Sequence, residues 1–561
     1  MMNRMQRCLA IVCLLGLLPV YSALGQQEAA IEGRVVNANG NSVDQAVVTV
    51  EGTDGEVLTQ TTTGEEGRFA VRAEDGHRVK VTAEDFAAKT VSVQSEEMTV
   101  TLDERGDTIP LGYGIEREWD ELTAAVDVAM ASDFADSPKM SINAGNALYG
   151  QLPGLMVLEN GGEPPTDPTL FIRGMSTYTN NQPLIMVDGF QRPLSSVTLE
   201  EIQSVKVLKD AAALAQYGQE GANGVVLITT KRGDTDGLVV NASLNMGLTQ
   251  PTALPEMVGA SAYAQAVNEA RANDGLSPRY SPEDLQGFAS DGSSALYPNE
   301  DLTERLLRDR GVRSKVNVSF QGGGDRARYY TMLNYVRDSG LFGPVNRNDD
   351  YSTQLEYSRF RFRTNLDVDI TENLLLQSDV TANIRENNLP SGGGGGGADQ
   401  IFDALYTLPT AAYPLRTPSG AFGGRNGYPQ NPLAVLTSTG YGQPNSREFS
   451  LTGRLQQDMS QFLEGLSAEV TINYNNYGSF YENQDRSFAY ESLDLIRNQK
   501  GEILDTTVTP LGEATDLSYS SGFSNKRQFA HLRGQVNYAK SMGAHSIEAT
   551  AMFKQTSRAF D

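Results

Sequence analysis

The chain has 561 residues, more than one hydrophobic core serves, so several domains are expected. Charged residues make up 20% and hydrophobic ones 39%, a balance that excludes wholesale disorder. The net charge of −25 excludes the basic footprint that nucleic acid requires.

At the start, Arg4 and Arg7 precede an apolar stretch from Leu9 to Val20, and Ala23-Leu24-Gly25 supplies small residues before Gln26. This pattern predicts a secretory signal peptide over 1–25. The apolar run is shorter than the roughly 20 residues a membrane anchor needs. Both cysteines, Cys8 and Cys13, fall inside it, so the mature chain is expected to hold no disulfide, thiol nucleophile or thiolate metal site. Beyond it no apolar run reaches membrane-helix length. An integral protein of this sequence would have to be a β-barrel, because only helices and closed barrels satisfy their backbone in lipid.

Residues 26–103 read as short strands: Ile31–Val36, Ala46–Val50, Val57–Thr62, Phe69–Val71, Val79–Thr82 and Thr99–Leu102. Asn39-Gly40, Asp54-Gly55, Glu66-Gly67 and Asp75-Gly76 supply the turns. Strands this short and evenly spaced predict a small β-sandwich. The runs Gly33-Arg34-Val35, Gln45 to Thr53 and Glu66-Gly67-Arg68-Phe69 make it resemble the carboxypeptidase-regulatory-like domain. No catalytic group is visible in it. A polar connector, 104–118, follows and is expected to be extended and unpaired.

Residues 119–233 mix strands and short helices. Phe171–Arg173, Leu184–Val187 and Gly224–Thr230 read as strands, Leu199–Ala215 as helix plus strand, and Asp188-Gly189 as a turn. Five blocks stand out: Ala147 to Val157, Phe171 to Ser176, Pro183 to Gly189, Ile202 to Ala211, and Tyr217 to Gly233. In their order they resemble the plug domain of SusC/RagA-type TonB-dependent outer-membrane transporters. The plug motif positions are Arg173, Gly174, Asp188, Gly189, Lys209, Asp210, Tyr217, Gly218, Gly221, Asn223 and Gly224. Gln151, Gln219-Glu220 and Glu163-Pro164-Pro165 depart from the family pattern. The glycines suit sharp turns and close backbone approaches. Arg173 and Lys206 are candidates for holding carboxylates at a plug–barrel interface, with ion pairs inside the plug or at its surface as the alternative. In the light of this resemblance the connector's Asp107, Thr108, Ile109, Pro110 and Leu111, followed by Gly112-Tyr113-Gly114, are similar to a TonB box. Such a segment is read by adding as a strand to the partner's sheet. An ordinary linker is the alternative.

From 234 to 561 the period becomes two. Phe360, Phe362, Leu366, Val368 and Ile370 alternate with Arg361, Arg363, Asn365, Asp367 and Asp369. Ala468, Val470 and Ile472 alternate with Glu469, Thr471 and Asn473, and Val316, Val318 and Phe320 with Lys315, Asn317 and Ser319. Segments of roughly ten residues with this alternation mark outer-membrane barrel strands, although a soluble sheet with one wet face has the same period. Strand length and aromatics near strand ends, Tyr329, Tyr330, Phe360 and Tyr474 among them, favour the barrel. The apolar set should face lipid and the polar set the lumen or plug. Arginine at Val368 should then cost ~2–4 kcal/mol near the midplane and less near an interface, and arginine at Asp367 little folding energy, with disturbance of the plug as its expected effect. Long polar loops intervene, one with a helix over Gly259–Asn273, another from Leu389 to Asn445 containing the glycine run Gly392 to Gly397.

About nine strands are expected, beginning near Leu238, Arg313, Arg328, Ser358, Leu374, Arg447, Leu466, Arg527 and His545. Plugged transporters use about 22, and a nine-strand ring cannot enclose a plug of this size. The expected fold is therefore mainly β: a sandwich, an α/β plug, and the first part of an antiparallel transmembrane barrel in a fragment or truncated reading frame. No paired histidines at metal spacing, no nucleophile elbow and no phosphate loop occur, and Gly392, Gly394 and Gly397 match a dinucleotide string only within low-complexity glycine. No enzyme and no cofactor are expected. The resemblance implies residence in outer-membrane lipid with the sandwich and box in the periplasm. It also implies TonB and a SusD-like surface lipoprotein as partners, and a glycan or oligopeptide as cargo. The rival is a cell-surface binding or signalling protein, or a non-functional truncated product, that uses sandwich and plug without transport.

Overall fold

The computed structural model describes residues 29–560 except 38–41, 53–55, 75–76, 84–85, 87–88, 94–96, 103–107, 119–121, 135–139, 160–165, 235–236, 291–294, 344–350, 393–395, 499–502 and 543–544. The expected signal peptide, Asp107, Asn39-Gly40, Asp54-Gly55, Asp75-Gly76 and Glu163-Pro164-Pro165 lie outside the described residues. The chain divides into two compact units, 1–123 with 130–135, and 124–129 with 136–561. Among the described residues no helix is long and apolar enough to cross a membrane.

The first unit holds strands β1 (Ala29–Asn37), β2 (Val47–Glu51), β3 (Val57–Thr62), β4 (Arg68–Ala73), β5 (Arg78–Thr82), β6 (Lys89–Ser92) and β7 (Glu97–Leu102). They form two sheets with orders β4-β1-β7 and β3-β2-β5-β6. Alternate residues close the core between them: Val35, Val48, Val50, Val79, Val81 and Leu102 are fully buried. The six expected strands are all present, and β6 is added. Its four residues are too few for a period-two pattern to register. Gly33 lies opposite Phe69, whose ring occupies the space a β-carbon at Gly33 would take, with Cζ 2.3 Å away.

The connector departs from expectation. Thr108–Gly112 (β8) pairs antiparallel with Ile115–Glu118 (β9), so the segment is extended but not unpaired. The turn has positive φ at Gly112, Tyr113 and Gly114, and Ile109, Leu111 and Tyr113 are buried. Burial of these apolar side chains stabilises a hairpin that polarity and Pro110 alone did not suggest.

The second unit begins with the plug: β10 (Val126–Met130), β11 (Leu155–Leu158), β12 (Thr169–Ile172), β13 (Leu184–Val187), β14 (Phe190–Gln191), β15 (Ile202–Leu208) and β16 (Val225–Thr230). Five of them form one sheet in the order β10-β15-β16-β13-β14, and β11 pairs with β12. The central β16 is buried on both faces, which suits its apolar run, whereas β15 is mostly buried although it carries Gln203, Ser204 and Lys206. Residues 199–215 are helix plus strand as expected, with the strand Ile202–Leu208 between short helical turns at Leu199–Glu201 and Ala211–Leu214.

Then comes a wall of β17 (Val239–Thr249), β18 (Gly311–Gly324), β19 (Ala327–Ser339), β20 (Glu356–Thr371) and β21 (Leu374–Pro390). The chain next passes β22 (Phe422–Gly423), β23 (Gly440–Asp458), β24 (Leu466–Asp485), β25 (Tyr490–Arg497), β26 (Ile503–Leu511), β27 (Ser518–Met542) and β28 (His545–Phe560). Nine of these strands form one sheet, β17-β18-β19-β20-β21-β23-β24-β27-β28, matching the nine expected and open at β17 and β28. Every neighbour is antiparallel.

The expected faces are observed. Phe360 and Ile472 are 41% and 54% exposed on the outward face, whereas Arg361 and Thr471 are each 1% exposed on the inward one. Tyr330 corrects one assignment: it points inward, buried, and its hydroxyl donates to the Glu200 carbonyl at 3.3 Å instead of sitting at an outer rim. One end of the wall has tight turns at 325–326 and 372–373, and the other has long loops. These loops carry the expected helix, observed at Ala260–Asn273, and others at Pro282–Ala289, Gly397–Thr407 and Pro432–Ser438. They bury a core of their own around Leu306, Phe342, Ile401, Leu405 and Leu436. β22, β25 and β26 form a small sheet there.

The sandwich core predicts that residues 29–102 expressed alone unfold cooperatively in urea. Gly33→Ala in that segment should lose about 1–3 kcal/mol, because a methyl group there overpacks the Phe69 ring. An unchanged midpoint would refute the packing.

Candidate functional site

The plug meets the wall mainly along β20, where five successive inward positions each hold plug atoms. Arg359 Nη1 donates to the Ile142 carbonyl at 3.1 Å. Arg361 Nε lies 2.7 Å from Glu201 Oε1, and Arg363 Nε donates to Glu201 Oε2 at 2.5 Å. Arg363 Nη1 also reaches Asp188 Oδ2 and Thr230 Oγ1, each at 3.0 Å. Asn365 Nδ2 donates to the Lys231 carbonyl at 2.7 Å, and Asp367 accepts from Arg232 at 2.6 Å. The two-residue repeat of a strand sets all five side chains on one face. Neighbouring strands add Lys315 to Glu200 at 2.5 Å, Arg385 Nη2 to the Ser195 carbonyl at 2.6 Å, and Asp379 to Arg232 at 2.8 Å. Among the described residues, Ile142 also packs against Val336 and Tyr357.

Glu201 is the anchor. It is fully buried at the end of the Leu199–Glu201 turn, where its carboxylate also accepts from the Thr198 backbone N–H at 2.5 Å. Burial works to raise its pKa, but the Arg361 and Arg363 charges outweigh it and hold the carboxyl down at about 2. Arg232 is treated the same way: burial works against its charge, yet hydrogen bonding to Asp367 and the charge of Asp379 raise it above the usual guanidinium value. Asp188 occupies a turn with φ 49° at itself and 88° at Gly189, joining β13 to β14 as the Asp-Gly pair predicts. That turn aims its carboxylate at Thr230, whose N–H and Oγ1 both lie at 2.9 Å, and at Arg363.

The remaining plug motif residues lie within the plug. Arg173 pairs with Asp210 at 2.6 Å, and Asp210 also accepts from Ala125 N at 2.7 Å. Lys209 pairs with Asp127. Arg173 and Gly174 form a left-handed turn, and Gly218 has φ 56°. Gly221 packs under Tyr217, Gly224 under Ile172, and Asn223 Nδ2 donates to the Asn180 carbonyl at 2.9 Å. The interface expectation for Arg173 is thereby corrected to its alternative, an ion pair inside the plug; Lys206 is buried within β15. The polarity is largely the reverse of that expected: the wall supplies most of the cations and the plug the carboxylates. Glu200, Glu201, Thr230 and Arg232 were not singled out from the sequence. The alternation Arg359-Phe360-Arg361-Phe362-Arg363 was a usable signal for them, since buried guanidiniums demand counter-charges.

Asp367 also revises the expected cost of arginine there. Its carboxylate is buried against Arg232, so a cation at 367 faces a cation in the plug. Val368 lies three positions from the end of β20, one ladder row nearer the tight-turn end than Ile472.

Removing one member of such a buried group leaves the others uncompensated, so Glu201→Gln should lower plug stability by roughly 3–5 kcal/mol. The native carboxyl is depressed from 4.5 to about 2, so its stabilisation is complete above pH 4.5 and is lost as pH falls through about 2. Urea-dependent proteolysis of the plug checks both: native protection should persist at pH 4, and the variant should be weaker at pH 7. Equal protection at pH 7 would rule out the anchor.

Residues 120–225 match the TonB-dependent receptor plug domain, and residues 30–106 match the carboxypeptidase regulatory-like domain. The chain is 29% identical over 437 residues to TonB-dependent receptor P26 of Formosa agariphila, covering 74% of this chain and 40% of that protein. It is 25% identical over 559 residues to TonB-dependent receptor SusC of Bacteroides thetaiotaomicron, covering 93% of this chain and 50% of SusC. The chain thus spans half the length of these relatives or less. In fold it is similar to the RagAB peptide importer in its closed-closed state, with a TM-score of 0.54 and 18% identity over 78% of this chain and 49% of that one. The chain is thereby identified as a relative of the SusC/RagA-type TonB-dependent receptors, carrying their regulatory-like domain, their plug domain and a wall of barrel-type strands.

Proposed function

We propose that this chain serves TonB-dependent import of a glycan or oligopeptide across the outer membrane, in concert with a SusD-like surface lipoprotein. The observation that carries the reading is the plug held by charge against a wall whose opposite face is apolar. Such a wall suits lipid outside and a polar, plugged lumen inside. The relatives support receptor function, and a structural neighbour is described as a peptide importer. The cargo enters from the long-loop end, and the sandwich and β8–β9 hairpin lie in the periplasm.

TonB engages Asp107 to Leu111 as an added strand. Because β8 already pairs with β9, and Ile109 and Leu111 are buried, the box is stowed at rest. Exposing each side chain costs about 1.5–3 kcal/mol, which TonB pairing and the tension it transmits must offset. Pulling then loosens the plug.

Two substitutions test this reading in the native host, expressed from the protein's own gene. Ile109→Pro removes a backbone donor from the box and should abolish uptake of labelled oligosaccharides and oligopeptides while surface display stays normal. Uptake at the native rate would exclude the box. Ile472→Arg places a cation in the middle of the outward band and should cost ~2–4 kcal/mol in a lipid-embedded wall. Normal folded yield and heat-modifiable migration of that variant would argue for a water-facing sheet.

A further inference from the structure

The outward face of the wall is apolar over most of its middle, with Thr331, Thr364, Ser378, Asn476 and Gln528 among its polar positions, and one row near the long-loop end carries two cations. Ladder register places Ile384, Arg447, Gly478 and Lys526 side by side across β21, β23, β24 and β27. The same row continues in the other direction as Phe360, Tyr335 and Val316, all apolar or aromatic. Two cations therefore stand two strands apart, about 10 Å by ladder spacing, with a glycine between them. Nothing comes within 4 Å of where a β-carbon at Gly478 would lie, so a notch one side chain deep separates them. Phe449 and Leu451 lie on the membrane side of the row and are exposed on the outward face. Phe480 and the 78%-exposed Phe523 lie on its outer side, and the Arg447 guanidinium sits 5.1 Å from the centroid of the Phe480 ring. Ile384, Arg447, Phe449, Gly478, Phe480, Phe523 and Lys526 line an open groove of about 780 Å³ that also holds two carboxylates, Glu448 and Glu482.

Charges on the lipid face of a barrel are costly in depth and cheap only near the interface. Aromatic residues collect at that same level. A row of cations immediately above an apolar band meets phosphate oxygens while the band below meets acyl chains. We propose that this groove binds a phosphorylated, multiply acylated glycolipid of the outer leaflet (lipid A), its phosphate held between Arg447 and Lys526 over Gly478. The guanidinium supplies paired donors to phosphate oxygens and the ammonium a point charge. The acyl chains lie along Phe449, Leu451 and Ile384. The inference rests on the outer-membrane placement proposed above and goes beyond it by naming a lipid and its site.

The test is native mass spectrometry of the detergent-extracted protein, produced from its own gene, with purified lipid A, dephosphorylated lipid A and phosphatidylglycerol as probes. Lipid A should bind at least tenfold more tightly than either alternative. The double substitution Arg447→Ala with Lys526→Ala should erase that preference. Gly478→Asp, which has room for its side chain, places a carboxylate in the phosphate position and should do the same. Retained preference in both variants, or equal binding of dephosphorylated lipid A or of phosphatidylglycerol, would overturn the site. Membrane fractionation of the native protein is read separately: its absence from the outer membrane would overturn the placement itself, whereas correct placement with unchanged lipid binding would overturn only this inference.

Discussion

The alternation of a single strand, β20, underlies the organisation of the second unit. Its odd-numbered residues from 359 to 367 are polar and all engage the plug, while its even-numbered residues include Phe360, Phe362 and Leu366 on the other face. A one-residue slip of register would exchange these sets, placing guanidiniums outside and aromatic rings against Glu201. Burying Arg361, Arg363 and Glu201 together is acceptable only because each satisfies another, and such a group specifies one plug position more than it adds net stability. The geometry of the plug turns serves the same end. Asp188 accepts a left-handed backbone conformation and thereby reaches both Thr230 and Arg363.

Much of this was legible in the sequence because period two is a strong signal when repeated over long segments. The nine wall strands, their faces and the strands of the sandwich follow from alternation and from turn residues at their ends. The plug was legible through its blocks of residues, whose glycines sit at positive φ at Gly174, Gly189, Gly218 and Gly224. What escaped notice has physical reasons. β6 is too short to alternate, and the β8–β9 hairpin is held by a few buried side chains in a segment whose composition is that of a linker. The β25–β26 hairpin lies in a loop whose core is assembled from distant segments, so no local pattern announces it. The contacts of Glu201 and Arg232 are long-range pairings, and a charge in a sequence does not name its partner.

The two faces of the wall solve different solvent problems with the same backbone. Inward, the buried cations of the wall meet carboxylates and carbonyls of the plug, and Ile142 packs on Val336. Outward, exposure of Val470, Ile472, Leu532 and Val536 would be a liability in water and is the natural condition of a lipid-facing surface. The cationic row at Arg447 and Lys526 marks where that surface ends.

The sequence separation of the plug contacts has a consequence for biogenesis. Arg359 meets a carbonyl 217 residues earlier in the chain, and Arg361 a carboxylate 160 residues earlier. Every plug partner of β20 therefore leaves the ribosome before β20 does. The acidic plug is comfortable in water by itself, whereas the arginines of β20 are not comfortable in lipid by themselves. With the wall in lipid as proposed, strands inserted ahead of the plug would leave their inward guanidiniums without counter-charges, so the favourable order is a plug already in place as the template against which the wall packs.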